Sequence, residues 1–374
     1  MSTWTNQKIS QISNEKRIPY APSLLEHLPS IELEHIQQQS LRLSGIGDSS
    51  EVASQKKRFK AGDVLYGSLR PYFRKVYRPK FDGVCSSDIT VLSNNKNVDG
   101  GYLFYLVANR DFIEKAASAS NGTKMPRAGW NIVKDFEFKV PNTITQKQIA
   151  SVLSAYDDLI ENNEKRIKVL EEMAERLYRE WFVYFRFPGH EKVRMVDSGT
   201  NFGKIPEGWE VRRFVADIEL AYGKALKEED RIPGNVSVCG SGGIVGTHNK
   251  KLVTGPGIVV GRKGNAGAVF WVDNDFYPID TAFYIKSKLS LEFTYYLVKH
   301  QNFVLGDAAV PGLNREQAYR NSILVPSKEL EQSFTQFVEP LRKLIGKLRG
   351  EINSLSKTRD LLISQLVTGK RELK

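Results

Sequence analysis

The sequence predicts two globular domains of mixed or mostly β structure, each followed by a long helix with the heptad pattern of a coiled coil. Three observations predict it. The chain has 374 residues, more than one hydrophobic core usually organises. A shift of 185 residues superimposes two long, charged, leucine-rich stretches without a gap. The segments before these stretches are instead rich in glycine, tyrosine and phenylalanine, with the short β-branched runs that are typical of strands.

The first predicted domain is residues 1–143. Its runs at 63–66 and 89–92 are β-branched or aromatic and are bounded by turn residues, which indicates short strands with tight turns. Residues 56–80 hold nine basic residues and one acid, interleaved with tyrosine, serine and glycine. Such a cluster can neutralise phosphates and reach base edges, so we expect it to contact DNA; a solvated basic hairpin is the alternative. The expected contacts, led by Arg70 and Arg74, are Lys57, Arg58, Ser68, Arg70, Tyr72, Arg74 and Lys75.

A polar loop at 121–127 adds two expected contacts to this domain, Thr123 and Lys124. Its glycine would allow close approach of the backbone to a ligand. A simple turn is the alternative interpretation of the same residues.

Residues 144–182 predict the first long helix. Apolar residues alternate there at spacings of four and three over more than four heptads, which is the 3.5-residue period of a coiled coil. The seam includes one asparagine, Asn163. If Asn163 is buried it would fix register and pairing, whereas at a solvated helix end it would have no such role. The predicted seam is Ile149, Leu153, Tyr156, Ile160, Asn163, Ile167, Leu170 and Leu177.

A linker at 183–203, with a Pro-Gly turn and a polar Gly/Ser stretch, leads to the second predicted domain, residues 204–326. Residues 240–251 read GSGGIVGTHNKK and residues 261–267 read GRKGNAG, which predicts glycine-rich hairpins with basic tips. Because the Gly-Lys-Ser/Thr ending of a phosphate-binding loop is missing, nucleotide binding is disfavoured. The expected DNA contacts, for which ordinary surface charge is the alternative, are Ser241, His248, Arg262, Lys263, Asn265, Asn314 and Arg315.

Residues 327–374 predict the second long helix, with Arg359 interrupting its apolar seam. If the helices lie antiparallel, they make a rod of roughly 50 Å, from about 32 residues at 1.5 Å each. Such a rod would suit a protein that meets two half-sites about one DNA turn apart. The predicted seam is Val338, Leu341, Ile345, Leu348, Ile352, Leu355 and Leu362.

Composition restricts the class of function. The formal net charge is +11 and the pI is near 9.4, which suits a polyanionic partner such as nucleic acid or an anionic membrane surface. No apolar run is long enough to span a bilayer and the first residues lack the apolar core of a secretory signal, so we expect a cytoplasmic protein without a membrane partner. Cys85 and Cys239 lie far apart, which favours buried structural thiols over a disulfide framework or a zinc site.

The sequence contains no recognisable catalytic motif. The five histidines have no metal-ligand spacing, and we find neither a Gly-x-Ser-x-Gly elbow nor the aromatic loop of an amino-methyltransferase nor a convincing nuclease carboxylate pair. We therefore expect no cofactor, no metal and no catalysis by this chain. S-adenosylmethionine binding by the purified chain would contradict that expectation.

Three sequence motifs resemble the specificity subunit of type I restriction-modification systems, and the resemblance covers nearly the whole chain. Residues 146–160, QKQIASVLSAYDDLI, resemble the family's E-Q-x-x-I-A-x-x-L-x-x-x-D-x-x-I element. Residues 62–76, GDVLYGSLRPYFRKV, are similar to its G-D-(I/V)-L-x-S-x-R-P-x-x-x-K-V strand pair, and LLISQLVTGK at 361–370 is similar to its tail. Two departures are Gln146 in place of glutamate and QSFT at 332–335 in place of a second Gln-Ile-Ala.

The resemblance implies an α/β (α+β) fold with two target recognition domains, each with a twisted mixed β-sheet, separated by two long helices that form an antiparallel coiled coil. It implies double-stranded DNA as a partner, with one domain for each half of an asymmetric bipartite site. It also implies two copies of a methyltransferase subunit docked on the helices, and translocase-endonuclease subunits that join for restriction. A coiled-coil scaffold that binds nucleic acid or other polyanions without specificity is the competing hypothesis, and it would show only salt-dependent affinity.

Overall fold

A computed structural model describes residues 4–23, 25–122, 124–305 and 312–373, so Thr123 lies outside the described residues. The chain divides into two compact units, each treated separately below. Unit 1 comprises Met1–Glu164 and Gly350–Lys374, and unit 2 comprises Lys165–Arg349. Both long helices therefore contribute residues to each unit.

Unit 1 combines short strands with short helices and a part of each long helix. Its strands are β1 Thr5–Lys8, β2 Ser13–Lys16, β3 Pro19–Tyr20, β4 Pro29–Ile31, β5 Gly47–Asp48, β6 Lys56–Phe59, β7 Val64–Gly67, β8 Val76–Tyr77, β9 Gly83–Cys85, β10 Ile89–Asn94 and β11 Glu137–Val140. Its helices are α1 Ile9–Ile12, α2 Gly100–Ala108, α3 Arg110–Ser118, α4 Trp130–Val133 and the first part of α5 Thr143–Tyr178.

The strands of unit 1 form mixed sheets. One has the order β2-β10-β7-β8, another β3-β6-β9-β4-β5, and β1 pairs with β11. The pairing of β4 with β9 is parallel and the other pairings of these sheets are antiparallel. The strands expected at 63–66 and 89–92 are confirmed as β7 and β10, which pair with one another.

Unit 2 has the same types of elements. Its strands are β12 Met195–Asp197, β13 Lys204–Pro206, β14 Glu210–Arg213, β15 Ile218–Tyr222, β16 Val236–Gly240, β17 Gly243–His248, β18 Gly257–Gly261, β19 Val269–Val272, β20 Phe276–Pro278, β21 Ala282–Ser287 and β22 Ser322–Val325. Its helices are α6 Phe214–Asp217, α7 Leu291–Lys299, α8 Arg315–Ala318 and the first part of α9 Lys328–Leu366. The two expected hairpins are confirmed as β16–β17 and β18–β19. The basic tip is wrong for the first, because its turn is Ser241-Gly242 and its two lysines, Lys250 and Lys251, lie beyond β17.

The main sheet of unit 2 repeats that of unit 1. Its order is β15-β21-β18-β19, which corresponds strand for strand to β2-β10-β7-β8. The pair β14 with β22 likewise corresponds to β1 with β11. The shift of 185 residues that relates the long helices also relates β11 to β22 and α4 to α8. The internal repeat therefore extends from the helices into the globular parts.

The two long helices pack against each other in antiparallel fashion within each unit. In unit 1, Arg359 of α9 meets Asp157 of α5, while Asn163 of α5 meets Glu351, so the contacts run in opposite directions along the two helices. In unit 2, Tyr178 at the end of α5 and Trp181 just beyond it contact Phe334 near the start of α9. The predicted α/β fold with antiparallel long helices is confirmed.

The heptad seam occupies the inner face of these helices. Every predicted seam residue is buried or half-buried, and none is exposed. Asn163 is only 5% exposed, and its Nδ2 donates to Glu351 Oε2 at 3.2 Å, so it is a buried seam asparagine rather than a solvated helix end. That Asn163 selects a pairing partner stays a prediction.

Candidate nucleic-acid interface

Two loops of unit 1 lie side by side beyond the end of β7. The Ser68 carbonyl accepts from Ala128 N at 2.9 Å, and Arg70 N donates to the Pro126 carbonyl at 2.7 Å. Leu69 and Arg127 form an isolated antiparallel bridge between the same two loops. The structure thus brings the basic segment at 68–75 next to the polar loop at 121–127, which sequence reasoning had treated as separate candidates.

Arg70 and Tyr72 are presented to solvent on this loop pair. Arg70 has a left-handed backbone (φ +50°) just before the 3-10 turn Pro71–Phe73, and its side chain is exposed. Its guanidinium makes no hydrogen bond or ion pair with any residue the structure describes. Tyr72 is exposed as well, and Lys124 is exposed on the neighbouring loop. This surface therefore offers two cations and an aromatic ring to a polyanion.

Arg74 differs from Arg70 because it points into the protein. It is 3% exposed, its Nε donates to the Ala108 carbonyl at 2.7 Å, and its Nη1 and Nη2 contact the Asp360 carboxylate at 2.7 and 3.3 Å. A guanidinium bound in this way cannot contact a base or a phosphate in this conformation. Arg74 instead attaches the loop that carries Arg70 to helix α9.

Asp360 belongs to a buried charge network in unit 1. It also binds Arg359, which is 1% exposed and donates from Nη1 to Asp157 at 2.6 Å. The Tyr105 hydroxyl donates to the other oxygen of Asp157 at 2.5 Å. Burial alone would raise the pKa of Asp360, but hydrogen bonds and charge from Arg74 and Arg359 hold that pKa below its ordinary value. The network therefore keeps the Asp360 carboxylate ionised and ties the loop to both long helices.

The remaining predicted contacts of unit 1 already have partners. Lys57 Nζ donates to the Ser87 carbonyl at 3.1 Å, and Arg58 forms a two-pronged ion pair with Glu26. Ser68 is buried, with its hydroxyl donating to the Asp88 carbonyl. Lys75 donates to the Leu33 carbonyl, and burial lowers its pKa. DNA contact through these residues would require exchange of those partners.

Unit 2 repeats the paired-loop arrangement. The Arg262 carbonyl accepts from Leu313 N at 2.8 Å, and Lys263 bridges to Gly312. These bonds correspond to the Ser68–Ala128 bond and the Leu69–Arg127 bridge of unit 1, because β7 and β18 are equivalent strands. The Asn314 side chain caps α8 by accepting from the backbone N–H groups of residues 316 and 317.

Two predicted arginines of unit 2 meet at one aromatic ring that sequence reasoning missed. The Arg262 and Arg315 guanidinium carbons lie 5.0 and 4.8 Å from the centroid of the Tyr222 ring. Arg262 Nη1 also donates to the Asp280 carbonyl at 2.9 Å. Tyr222 ends β15 and is followed by Gly223 and the single lysine Lys224 rather than by a basic cluster, so charge clustering gave no signal for it.

The hairpin tips of unit 2 touch each other. A Cβ at Gly261 would lie 2.7 Å from the Ser241 carbonyl and 2.0 Å from the Asn265 carbonyl, so this position tolerates only glycine. Asn265 and Lys263 are exposed at the tip, and Ser241 is half-buried. His248 is buried and accepts at Nδ1 from Ile232 N at 3.1 Å, which places it inside the unit rather than on the hairpin surface.

One further cation belongs to the unit 1 surface. Arg127 is exposed, and its Nε pairs with Asp88 at 3.1 Å. Arg127 lies in the candidate loop at 121–127 but was not among the predicted contacts. The available signal was a basic side chain within a glycine-containing loop.

Within the described residues, no group of three or more histidine, cysteine, aspartate or glutamate side chains is placed to hold a metal ion. Cys85 and Cys239 are both free and buried, as expected, and burial raises the pKa of each thiol to about 12. The helices in the described part of the chain are all too short or too polar to cross a bilayer.

Comparison with known proteins identifies the class. The family model for the type I restriction modification DNA specificity domain matches residues 1–172 and 206–356, more than half of the chain. The chain belongs to this family, which confirms the resemblance seen in the sequence.

Individual relatives agree with this assignment. The type I restriction enzyme MjaIX specificity subunit of Methanocaldococcus jannaschii is 26% identical over 297 residues, which is 72% of this chain and 68% of the relative. The MjaVIII specificity subunit of the same organism is 24% identical over 333 residues, 78% of this chain and 75% of the relative. The crystal structure of the type I restriction-modification S subunit from M. genitalium has the same fold, with a TM-score of 0.57, 16% identity and coverage of 98% and 96% of the two chains.

Proposed function

We propose that this chain is the DNA sequence-specificity subunit of a type I restriction-modification complex, and that each unit reads one half of an asymmetric bipartite duplex site. Residues 1–143 would read one half and residues 204–326 the other. The chain supplies recognition, while partner subunits supply methyl transfer and DNA cleavage. This proposal rests on family membership together with the paired loops of the two units.

The observation that carries the proposal is one loop architecture with two different sets of side chains. Ser68 in unit 1 corresponds to Arg262 in unit 2 through the same backbone bond to the neighbouring loop. Trp130, which begins α4, corresponds to Arg315, which begins α8. Because base edges are distinguished by the donors and acceptors that reach them, equivalent loops with different side chains would read different sequences.

For the first half-site, the exposed groups of the unit 1 loops are the proposed contacts. Arg70, Tyr72, Lys124 and Arg127 share one surface. Arg70 has no competing partner among the described residues, so it can form a charge-assisted hydrogen bond to DNA without first breaking another interaction. Arg74 is assigned a supporting role, since its guanidinium is bound to Asp360.

We further propose that the helices carry two copies of a methyltransferase subunit, and that translocase-endonuclease subunits join for restriction. Each unit exposes large apolar side chains on its helix segments, and these are available to a docked partner. Leu159 and Leu361 are exposed in unit 1, and Val169, Met173 and Phe337 are exposed in unit 2. One such set in each unit suits two docked copies.

The test is co-expression with the modification subunit encoded beside this chain, followed by long-read mapping of methylated adenines across the host genome. We expect one split motif with two different halves at a fixed spacing. The matched control is expression of the modification subunit alone, which should leave that motif unmethylated. If no motif depends on this chain, and the purified complex binds random and genomic DNA with equal, salt-dependent affinity, the chain is a non-specific polyanion binder and the proposal is wrong.

A further inference from the structure

Tyr222 lies at the centre of an arginine pair in unit 2. Its ring is 46% exposed, and the Arg262 and Arg315 guanidinium carbons lie 5.0 and 4.8 Å from its centroid. Both cations therefore share one aromatic ring at the edge of the paired loops. Arg315 also pairs through Nε with Glu316 at 3.4 Å. Two guanidinium groups on one ring nevertheless make this edge favourable for a hydrogen-bond acceptor or an anion.

The surroundings of Tyr222 fix where its ring stands. Tyr222 is the last residue of β15 and pairs with Phe283 on β21. The Phe283 ring lies 5.0 Å from the Tyr222 ring. The next residue, Gly223, is packed so tightly that a Cβ would lie 2.1 Å from the Ile279 carbonyl. A rigid strand end on one side and a tightly packed glycine on the other leave the ring little freedom to move.

Core packing does not account for Tyr222. Its ring is half exposed, and none of the described residues gives its hydroxyl a hydrogen bond. The equivalent position in unit 1, by strand register, is Arg17, which pairs with Glu15 at 2.6 Å. The described part of unit 1 therefore has no arginine–tyrosine–arginine arrangement at the equivalent place, as expected if Tyr222 helps to distinguish one half-site from the other.

The arginines keep donors available for DNA. Arg262 uses Nη1 for the Asp280 carbonyl, and its backbone is pinned by bonds to Thr281 and Leu313. The rest of the guanidinium fork is free of hydrogen bonds to described residues. An arginine guanidinium that is already held by stacking loses less side-chain entropy when it binds DNA. Guanine is the base that suits it, because its O6 and N7 acceptors match two parallel guanidinium donors.

We propose that Tyr222 is a positioning residue that aims Arg262 and Arg315 at guanine in the second half-site. This inference rests on the proposed function, since it assumes that unit 2 reads DNA. The ring acts through the arginines, so its hydroxyl is not required.

The test uses the full complex of this chain with its modification subunit and compares Tyr222→Leu with Tyr222→Phe. The readout is the ratio of methylation at the native second half-site to methylation at sites carrying one changed base in that half. We expect Tyr222→Leu to lower this ratio by about tenfold, the scale of one well-oriented arginine–guanine contact. Tyr222→Phe keeps the ring and should stay within about twofold of the wild-type ratio.

Two further variants test whether Tyr222 acts through Arg262 and whether the effect is specific to the paired loops. If Tyr222 acts through Arg262, then Tyr222→Leu added to Arg262→Ala should have little additional effect, because the two residues act as a unit. The matched control is Tyr184→Leu, since Tyr184 is equally exposed and lies 5.5 Å from both Arg179 and Arg186, but outside the paired loops. We expect that control to leave the preference for each half-site unchanged.

The outcomes separate this inference from the proposed function. If the wild-type complex methylates a split motif and Tyr222→Leu keeps the full preference, Tyr222 does not position the arginines. Equal loss in Tyr222→Phe and Tyr222→Leu would make the hydroxyl the contact and would also overturn the inference. Arg262→Lys, which keeps the charge but not the fork, should behave as Tyr222→Leu does. Full preference in this conservative variant would contradict the guanine assignment even if the leucine variant failed to fold. Absence of any motif in the wild type would instead refute the proposed function.

Discussion

The half-buried carboxylate of Asp360 joins two buried arginines, and its replacement by asparagine should weaken unit 1. Arg74 and Arg359 are 3% and 1% exposed, and both hydrogen-bond this carboxylate. Asp360→Asn keeps the side-chain size but removes the charge, which leaves Arg74 without its carboxylate partner. Breaking a buried ion pair from one side costs about 3–5 kcal/mol.

The lower end of that range is expected here. The Asp360 side chain is 21% exposed, so water can partly replace the lost interaction, and Arg359 keeps its second partner, Asp157. We therefore expect the free energy of unfolding of unit 1 to fall by about 3 kcal/mol. The change should be confined to unit 1, because all members of the network belong to that unit.

The effect should also depend on pH. The folded-state pKa of Asp360 is lowered, so its stabilising contribution is fully present above the ordinary value of 3.8 and is lost as the pH falls through the lowered value. The wild type should therefore lose part of the stability of unit 1 in that acidic range. Asp360→Asn removes this particular dependence, because the amide does not titrate.

Hydrogen exchange read by mass spectrometry is the suitable assay, because it reports each unit separately in a chain that need not unfold in one step. Peptides from α2 and β7 should exchange faster in Asp360→Asn, while peptides from α7 and β18 should not. The control is Asp158→Asn, since Asp158 is an exposed carboxylate of α5 that lies 3.5 Å from Lys80. If the two variants have the same small effect, the network does not stabilise unit 1 and the reasoning above is wrong.

Three other predictions concern single sites. Arg70→Ala should lower discrimination at the first half-site by about 5- to 100-fold and leave the second intact, as measured by methylation mapping; equal loss at all sequences would make Arg70 a phosphate contact. Arg342→Ala should destabilise unit 2 by about 2–4 kcal/mol in the same exchange assay, because this buried arginine stacks 4.2 Å from the Tyr295 ring and donates to the Tyr296 hydroxyl at 2.6 Å; unchanged exchange would contradict that role. Cys85 and Cys239 have thiol pKa values raised to about 12, so iodoacetamide at pH 8 should modify them only after unfolding, and rapid modification of the folded chain would show that they are accessible.

Features carried by local periodicity were predictable from the sequence. The long helices follow from a 3.5-residue apolar repeat that is visible over any few turns, and the strands β7, β10, β18 and β19 follow from short apolar runs between turns. The glycine-rich hairpins were also recognisable, because glycine marks tight turns wherever they fall. Even so, α9 continues through Pro340, where local rules favour a break.

Features that depend on distant partners were not predictable. Arg70 and Arg74 look alike in sequence, and only the position of Asp360, 286 residues away from Arg74, buries one of them. Gln146 departs from the family pattern, yet it is buried, accepts from Asp99 N at 2.9 Å and donates to the Pro141 carbonyl at 2.9 Å. A glutamate could not make the second bond while ionised, so the amide suits this site.

The arginine pair at Tyr222 illustrates the same limit for the candidate site. Arg262, Arg315 and Tyr222 come from three separate segments of unit 2, and only the sheet order brings them to one place. Charge clustering along the chain could find the arginines but not the ring between them.

Unit 1 is assembled from two stretches of chain that are separated by the whole of unit 2. Ile363, Leu366 and Val367 complete the same core that contains Ile149 and Leu153. A ribosome that adds 5–20 residues per second needs roughly 10–40 s to make the intervening unit, and during that time unit 1 has an open core. A product that terminates before residue 350 therefore lacks part of the core of unit 1. Because this part of α9 is made after unit 2, folding of unit 1 depends on translation that continues beyond unit 2.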